Sequence, residues 1–215
     1  MTPLILKLKK AMHKEIAKAQ DLIVEEIYKK FDKAVLHGGT SIWRCYRGNR
    51  FSEDIDVYIP KDIARINAIF ENLKRIGFSI KKKKIGENSL FSVLEINRII
   101  VRFEALFKSI KGILKDYETA DGNIITVYTL SPEELIKEKA DAYLKRLKIR
   151  DLYDIFFLLR YVDNKAVLKE RLGILIKNFK EPMDKKELRL LIIEGLVPEP
   201  EEMLQYIKRA VKWEE

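Results

Sequence analysis

The sequence predicts an α+β protein. Three observations carry that prediction: a long amphipathic repeat at the start, a series of strand-like runs up to about residue 130, and a nearly continuous helical pattern after it. A chain of 215 residues can bury a real core, as one large domain or two small ones. The change near Leu130 is the best boundary, dividing residues 1–130 from 131–215.

The elements follow in order. Leu4, Leu8, Met12, Ile16, Ala19, Ile23 and Ile27 recur every three or four positions, which predicts one long helix across the back of a sheet. Val35-Leu36 reads as the end of a short buried strand. Gly38-Gly39 then forms a turn, and Thr40-Ser41 opens a short helix that packs Trp43 and Tyr46 inward. Residues 54–59 alternate as a strand, Pro60 stops them, and 61–76 place Ile63, Ile66, Ile69, Phe70 and Leu73 on one helix face. Residues 78–85, 89–96 and 98–107 predict an antiparallel meander, and 124–128 a short strand after the Asp121-Gly122-Asn123 turn. Ser131-Pro132-Glu133-Glu134 carries an N-cap serine, a first-turn proline and a capping-box glutamate.

Composition narrows the function classes. With 47% hydrophobic and 35% charged residues, the chain is a globular protein with a heavily charged surface. No run is long and apolar enough to span a membrane, and the N-terminus lacks the continuous apolar core of a secretion signal, so a cytoplasmic protein is expected. The single Cys45 excludes an intrachain disulfide and reads as a small core filler. His13 and His37 are too few for a Cys/His zinc cluster, which leaves oxygen ligands and Mg²⁺ as the metal option. The net charge of +9, from 42 basic and 33 acidic side chains, favours a polyanionic partner such as RNA, or an acidic protein.

The chemistry concentrates in His37 to Ile59, HGGTSIWRCYRGNRFSEDIDVYI. Asp54 and Asp56 are two apart on a strand, so they share a face and offer two carboxylates to a pair of Mg²⁺ ions. Ahead of them, Gly38 and Gly39 allow close backbone approach. The helix that follows presents free N–H groups and the hydroxyls of Thr40 and Ser41 to a phosphate. Either feature alone is ordinary, a solvated strand face or a plain turn; their joint occurrence is far more specific. Downstream, Arg102 and Glu104 share one strand face, with Val101 and Phe103 on the other. Glu104 is the best third carboxylate for two-metal nucleotidyl transfer, the alternative being an Arg102-Glu104 surface stripe.

Later segments add cations. Lys139, Tyr143 and Arg146 fall on one helix face, which either contacts a triphosphate or RNA backbone or is merely solvated, with Glu133–Lys137 and Asp141–Lys145 as spaced ion pairs. Arg150 and Asp154, four apart, either pair with each other or belong to a site, and Asp151 either caps its helix or joins them. Lys81 to Lys84 occupy a predicted edge strand, where they block aggregation or steer RNA.

These marks, the Gly-Gly-Thr turn with Arg50-Phe51-Ser52-Glu53-Asp54-Ile55-Asp56, the Glu104 strand, and the Ser-Pro-Glu-Glu-Leu helix with Lys139 followed by Arg150-Asp151-Leu152-Tyr153-Asp154, resemble the AbiEii/AbiGii family of nucleotidyltransferase toxins in the DNA polymerase β-like superfamily. The resemblance covers most of the chain. It implies a mixed sheet flanked by helices and a C-terminal helical bundle that completes a cleft. It also implies type IV toxin–antitoxin biology, with a separate antitoxin chain, two Mg²⁺ ions, and transfer of a nucleoside monophosphate from NTP to an acceptor, in some members a tRNA 3′ end. Carried over by position, Gly39 and Thr40 match the phosphate turn, Asp54 and Asp56 the metal pair, Glu104 the third acidic position, Lys139 the nucleotide-contacting lysine, and Asp151 or Asp154 the last catalytic-type aspartate; Gly38, Ser41 and Arg150, beside these positions, complete the expected nucleotide-binding set. The turn is Gly-Gly-Thr-Ser here, against the superfamily's commoner Gly-Ser. Two other readings accompany this one: a non-catalytic RNA- or protein-binding module on the same fold, and nucleotidylation of a protein side chain.

Overall fold

In the computed structural model, which describes residues 3–213, the alternating runs of the first 130 residues join into one seven-stranded mixed sheet. Its strands are β1 (Val35–His37), β2 (Ile55–Ile59), β3 (Ser79–Ile85), β4 (Ser89–Ile96), β5 (Ile99–Phe107), β6 (Ile113–Glu118) and β7 (Ile124–Thr129), in the spatial order β3-β4-β5-β2-β1-β7-β6. The β2/β5 and β1/β7 pairs are parallel and the others antiparallel. The expected meander is β3-β4-β5, turned between β4 and β5 by Asn97 and Arg98 at φ 50° and 66°, the left-handed pair that a two-residue hairpin requires.

One face of this meander is apolar. Leu90, Leu94, Val101, Phe103 and Ala105 are buried, and the Phe103 ring lies 6.0 Å from that of Phe70 on α4 (Ile63–Arg75). The long N-terminal repeat is not one helix. It breaks into α1 (Leu4–Lys7) and α2 (Ala11–Lys30), with Leu8 extended between them yet 2% exposed. Apolar spacing marks which side chains are buried, and a short extended link can keep Leu8 buried without a helical backbone. The Ile5 N–H donates to the Ala120 carbonyl at 2.8 Å, which ties the first piece down. Between β1 and β2 runs α3 (Gly38–Cys45). Trp43 and Tyr46 are buried as expected, and burial pushes the Cys45 thiol up to about 12, in keeping with a core filler.

The described chain divides into two units, residues 3–47 with 51–129, and residues 48–50 with 130–213. The second is helical: α5 (Pro132–Arg146), α6 (Ile149–Leu158), α7 (Lys169–Lys177), α8 (Leu188–Leu191) and α9 (Pro200–Ala210). Ser131 and Glu134 form the expected capping box on α5, and Leu147 ends that helix at φ 50°. Ile136, Ala140, Tyr143, Leu152, Leu175 and Met203 are fully buried in this unit. Its short extra strand is Arg50, bridged to Ile192, while the Ile193 N–H donates to the Asn49 carbonyl at 2.8 Å.

Candidate active site

Strand register assembles the carboxylates. Asp56 on β2 lies opposite Glu104 on β5 and His37 on β1, so three adjacent central strands set these side chains in one row on the face away from Phe103. The row continues outward through Phe91 on β4 to Lys84 on the edge strand β3. His37 stacks on Tyr58 with ring centroids 4.1 Å apart. Partial burial, then the charges of Asp56 and Asp54, push the Glu104 carboxyl above its usual range, and Arg102 and His37 offset part of that shift.

The turn before α3 is shaped around Asp56. Gly38 has φ 70°, and a Cβ there would collide with Asp56 Oδ2. Glycine is needed both for the backbone and for the carboxylate that lies against it. The α3 N-terminus brings its first N–H groups to the same place, a ready anion site. Thr40 and Ser41 do not point outward from this turn: they are 1% and 0% exposed. The Thr40 hydroxyl donates to the Asp54 carbonyl, and Gln20 Nε2 donates to Thr40 Oγ1 at 3.4 Å and to the Ser52 carbonyl at 2.9 Å. The Ser41 hydroxyl shares a hydrogen bond with Thr129, which donates to the Leu36 carbonyl at 2.9 Å. These hydroxyls fix the turn and the Asp54 loop from behind and are spent on protein partners.

Asp54 is held by Arg102. The guanidinium donates through Nε and Nη2 to the two carboxylate oxygens, each at 2.7 Å, in the two-point geometry that Arg forms with carboxylates and phosphates alike. Arg102 is thus paired with Asp54 while sharing the strand face of Glu104. Among the described residues no three His, Cys, Asp or Glu side chains are gathered closely enough to cage an ion as they stand. The donor chemistry nevertheless suits a hard divalent cation, since Asp54, Asp56 and Glu104 all offer oxygen donors and the charges of the two aspartates add to the upward shift of the Glu104 carboxyl.

In the helical unit the remaining site candidates form a buried charge cluster. Lys139 Nζ is 2.7 Å from Asp154 Oδ2 and 3.4 Å from Asp151 Oδ1; all three residues are buried. Arg50 grips Asp154 with two hydrogen bonds of 2.9 and 2.8 Å, and Arg146 grips Asp151 with two of 2.7 Å. Burial alone would push the Asp154 carboxyl up, but Arg50 and Lys139 outweigh it and hold that carboxyl below its usual value. The expected Arg150–Asp154 and Asp141–Lys145 pairs are not made. Asp154 turns to Arg50 and Lys139, Asp141 accepts from Arg171 at 2.8 Å, and Arg150 is half-buried with no side-chain ion pair among the described residues. Asp151 sits in the first turn of α6 without capping it; Asp184 accepts from the Ile149 N–H at 2.7 Å instead.

Two parts of this arrangement escape sequence reasoning. Arg50 opens the motif that ends in Asp54-Ile55-Asp56, but nothing in that motif marks Asp154 as its partner, and only the fold brings the two together. Likewise Arg44, 1% exposed, donates to Asp21 at 2.7 Å and to the Ala17 and Glu118 carbonyls, a brace behind α3 that nothing in the sequence marks.

The comparisons agree with this architecture. JHP933 from Helicobacter pylori superposes with a TM-score of 0.66 at 19% identity, over 94% of this chain and 91% of that one. The nucleotidyltransferase toxin MenT4 from Mycobacterium tuberculosis superposes equally well, TM-score 0.66 at 16% identity, over 97% of this chain and 86% of that one. The fold is therefore a nucleotidyltransferase fold. Among curated proteins no sequence matches the chain. The family model described as nucleotidyl transferase AbiEii toxin, type IV toxin–antitoxin system, matches residues 22–209, and the chain belongs to that family. No described helix is long and apolar enough to cross a membrane.

Proposed function

We propose that this nucleotidyltransferase uses Mg²⁺ to transfer a nucleoside monophosphate from an NTP to a hydroxyl of RNA, with a tRNA 3′ end the first acceptor to test, and that it works in the cytoplasm with a cognate antitoxin. The observation that carries the reading is the registered row of Asp56 and Glu104 beside the Gly38 turn at the α3 N-terminus, with Asp54 two residues upstream on the same side.

In this reading Asp54, Asp56 and Glu104 would hold the divalent cations, which when bound would polarise the attacking hydroxyl and the triphosphate. The α3 amides receive the phosphates, and Thr40, Ser41 and Gln20 hold that turn rigid. Arg102 releases Asp54 when the site loads, because its planar fork fits a phosphate as well as a carboxylate. A bond forms between the acceptor oxygen and the α-phosphorus, the bond to pyrophosphate breaks, and the hydroxyl proton passes to water. Lys139 supplies positive charge to the nucleotide, while Asp151 and Asp154 act as positioning residues that orient it. Arg150 is a second nucleotide-facing cation. Catalysis of this kind is positioning and electrostatics, with no covalent work for a side chain.

The test is to incubate the protein and its Asp56→Asn variant with Mg²⁺, each labelled NTP in turn, and total RNA. Label on RNA from the wild type, reduced at least about a thousandfold in the variant, is the expected result. Label on the protein itself moves the acceptor to a side chain. An active Asp56→Asn variant overturns the metal assignment.

A further inference from the structure

Beside Asp54 lies a hollow of about 370 Å³, within the usual range for small-molecule sites, roughly 300–1,000 Å³. Met12, Val93 and Ile100 give it apolar walls; Arg98 and Arg102 bring two guanidinium groups and Glu53 and Asp54 two carboxylates, Arg102 being paired with Asp54 and Arg98 left to receive an anion. Met12 and Ile100 are 54% and 57% exposed, so their apolar surface is open to a ligand in the hollow. Arg98 is exposed at the tip of the β4–β5 turn, with no side-chain ion pair or hydrogen bond among the described residues.

Strand order gives this hollow a direction. In the sequence β4-β5-β2-β1, the carboxylates stand on β5 and β2, the phosphate turn follows β1, and the hollow opens against β4 and β5. Phosphoryl groups transfer with the attacking and departing oxygens roughly in line on opposite sides of phosphorus. With the triphosphate at the α3 N-terminus beside β1, as in the reading above, in-line attack leaves the β5 side as the approach for the attacking hydroxyl. We infer that the hollow receives the terminal nucleotide of a single-stranded RNA acceptor, its base against Met12, Val93 and Ile100 and its phosphate on Arg98; this rests on the nucleotidyl-transfer reading above. The positive charge lies outward of the hollow, where Lys82 and Lys84 stand in register with Val93 and Phe91 on the same sheet face, and Lys82 sits 5.2 Å from the Phe91 ring centroid. Aromatic and apolar faces interleaved with cations are what single strands bind, at about 1–3 kcal/mol per stacked base.

The test uses the whole protein with a short, 5′-fluorescein-labelled, single-stranded oligoribonucleotide, read by anisotropy without NTP, alongside calorimetric binding of a non-hydrolysable Mg²⁺–NTP analogue. The variants are Ile100→Glu, which adds a negative charge at an exposed position, and Arg98→Asn, chosen because asparagine tolerates the left-handed φ of 66°. Each is expected to weaken RNA binding roughly tenfold and raise the KM for RNA, with analogue binding and thermal unfolding unchanged. Unchanged RNA affinity in both variants overturns the inference, as does a loss confined to the NTP analogue, which would make the hollow a base pocket for the donor. Transfer of label to protein with no RNA binding overturns it too. A wild type that binds RNA at this hollow yet transfers nothing instead overturns the transfer reading, so the two failures are distinguishable.

Discussion

Gly38 and Asp56 work as a pair: the missing Cβ of one makes room for the carboxylate of the other. Gly38→Ala therefore meets two penalties, a left-handed backbone that costs about 1–2 kcal/mol for a residue with a Cβ, and displacement of Asp56. We expect a modest drop in thermal stability with at least about a hundredfold loss of transfer, and an alanine variant with ordinary turnover would show that Asp56 needs no such position. Asp54 and Asp56 share a face by strand alternation alone, whereas Glu104 comes beside Asp56 only through the register of β5 on β2, which no local pattern encodes. The inward turn of Thr40 and Ser41 was not legible either, since a hydroxyl at a helix start reads the same whether it faces a ligand or, as here, the Asp54 carbonyl and Thr129. The Arg102 clasp on Asp54 was hidden for a similar reason: alternation gives the face of a side chain, not its partner on the next strand.

Among the elements, α5 and α6 are joined through charges inside their own core. Removing one partner of such a buried pair leaves an uncompensated charge, a cost of about 3–5 kcal/mol. Asp154→Asn should lower the unfolding free energy by roughly that amount near neutral pH. The pH dependence has a definite sign. Because the folded-state carboxyl of Asp154 lies below its ordinary 3.8, its contribution is present above that value and is lost as pH falls through the lower folded value. Urea titrations at successive pH values should show wild-type stability declining in that acid window and the asparagine variant declining less; parallel curves would detach the acid response from Asp154. The capping box of α5 was plain in the sequence, whereas β6 was missed. Only Tyr117 and Glu118 of that edge strand are buried, so Ile113 to Glu118 never shows the alternation that a half-buried strand displays. The break at Leu8 was missed for the opposite reason, the apolar spacing running on across a link that is not helical.

At the scale of the whole molecule, a net charge of +9 makes association with a polyanion strongly salt-dependent. Each lysine–phosphate contact on a single strand contributes about 0.7 to the slope of log affinity against log salt. Lys82→Gln with Lys84→Gln should then flatten the slope for RNA by about 1.4, leaving NTP binding unchanged; an unaltered slope would assign these lysines to the protection of an exposed edge. The α+β class followed from the order of patterns along the chain. The interlocking of parallel and antiparallel pairs did not, because no local repeat says which strand lies beside which.

The carboxylate row has a consequence for how such proteins diverge. Asp56 and Glu104 stand on β2 and β5, each hydrogen-bonded to a neighbour on both sides, so their spacing is set by a register that cannot slip without turning apolar side chains outward. Lys82, Lys84 and Arg98 stand at a free margin and a hairpin tip, where substitutions cost little stability. On the proposed reading, lineages descending from a common ancestor can therefore exchange what they recognise at the rim while keeping the carboxylate row at the centre.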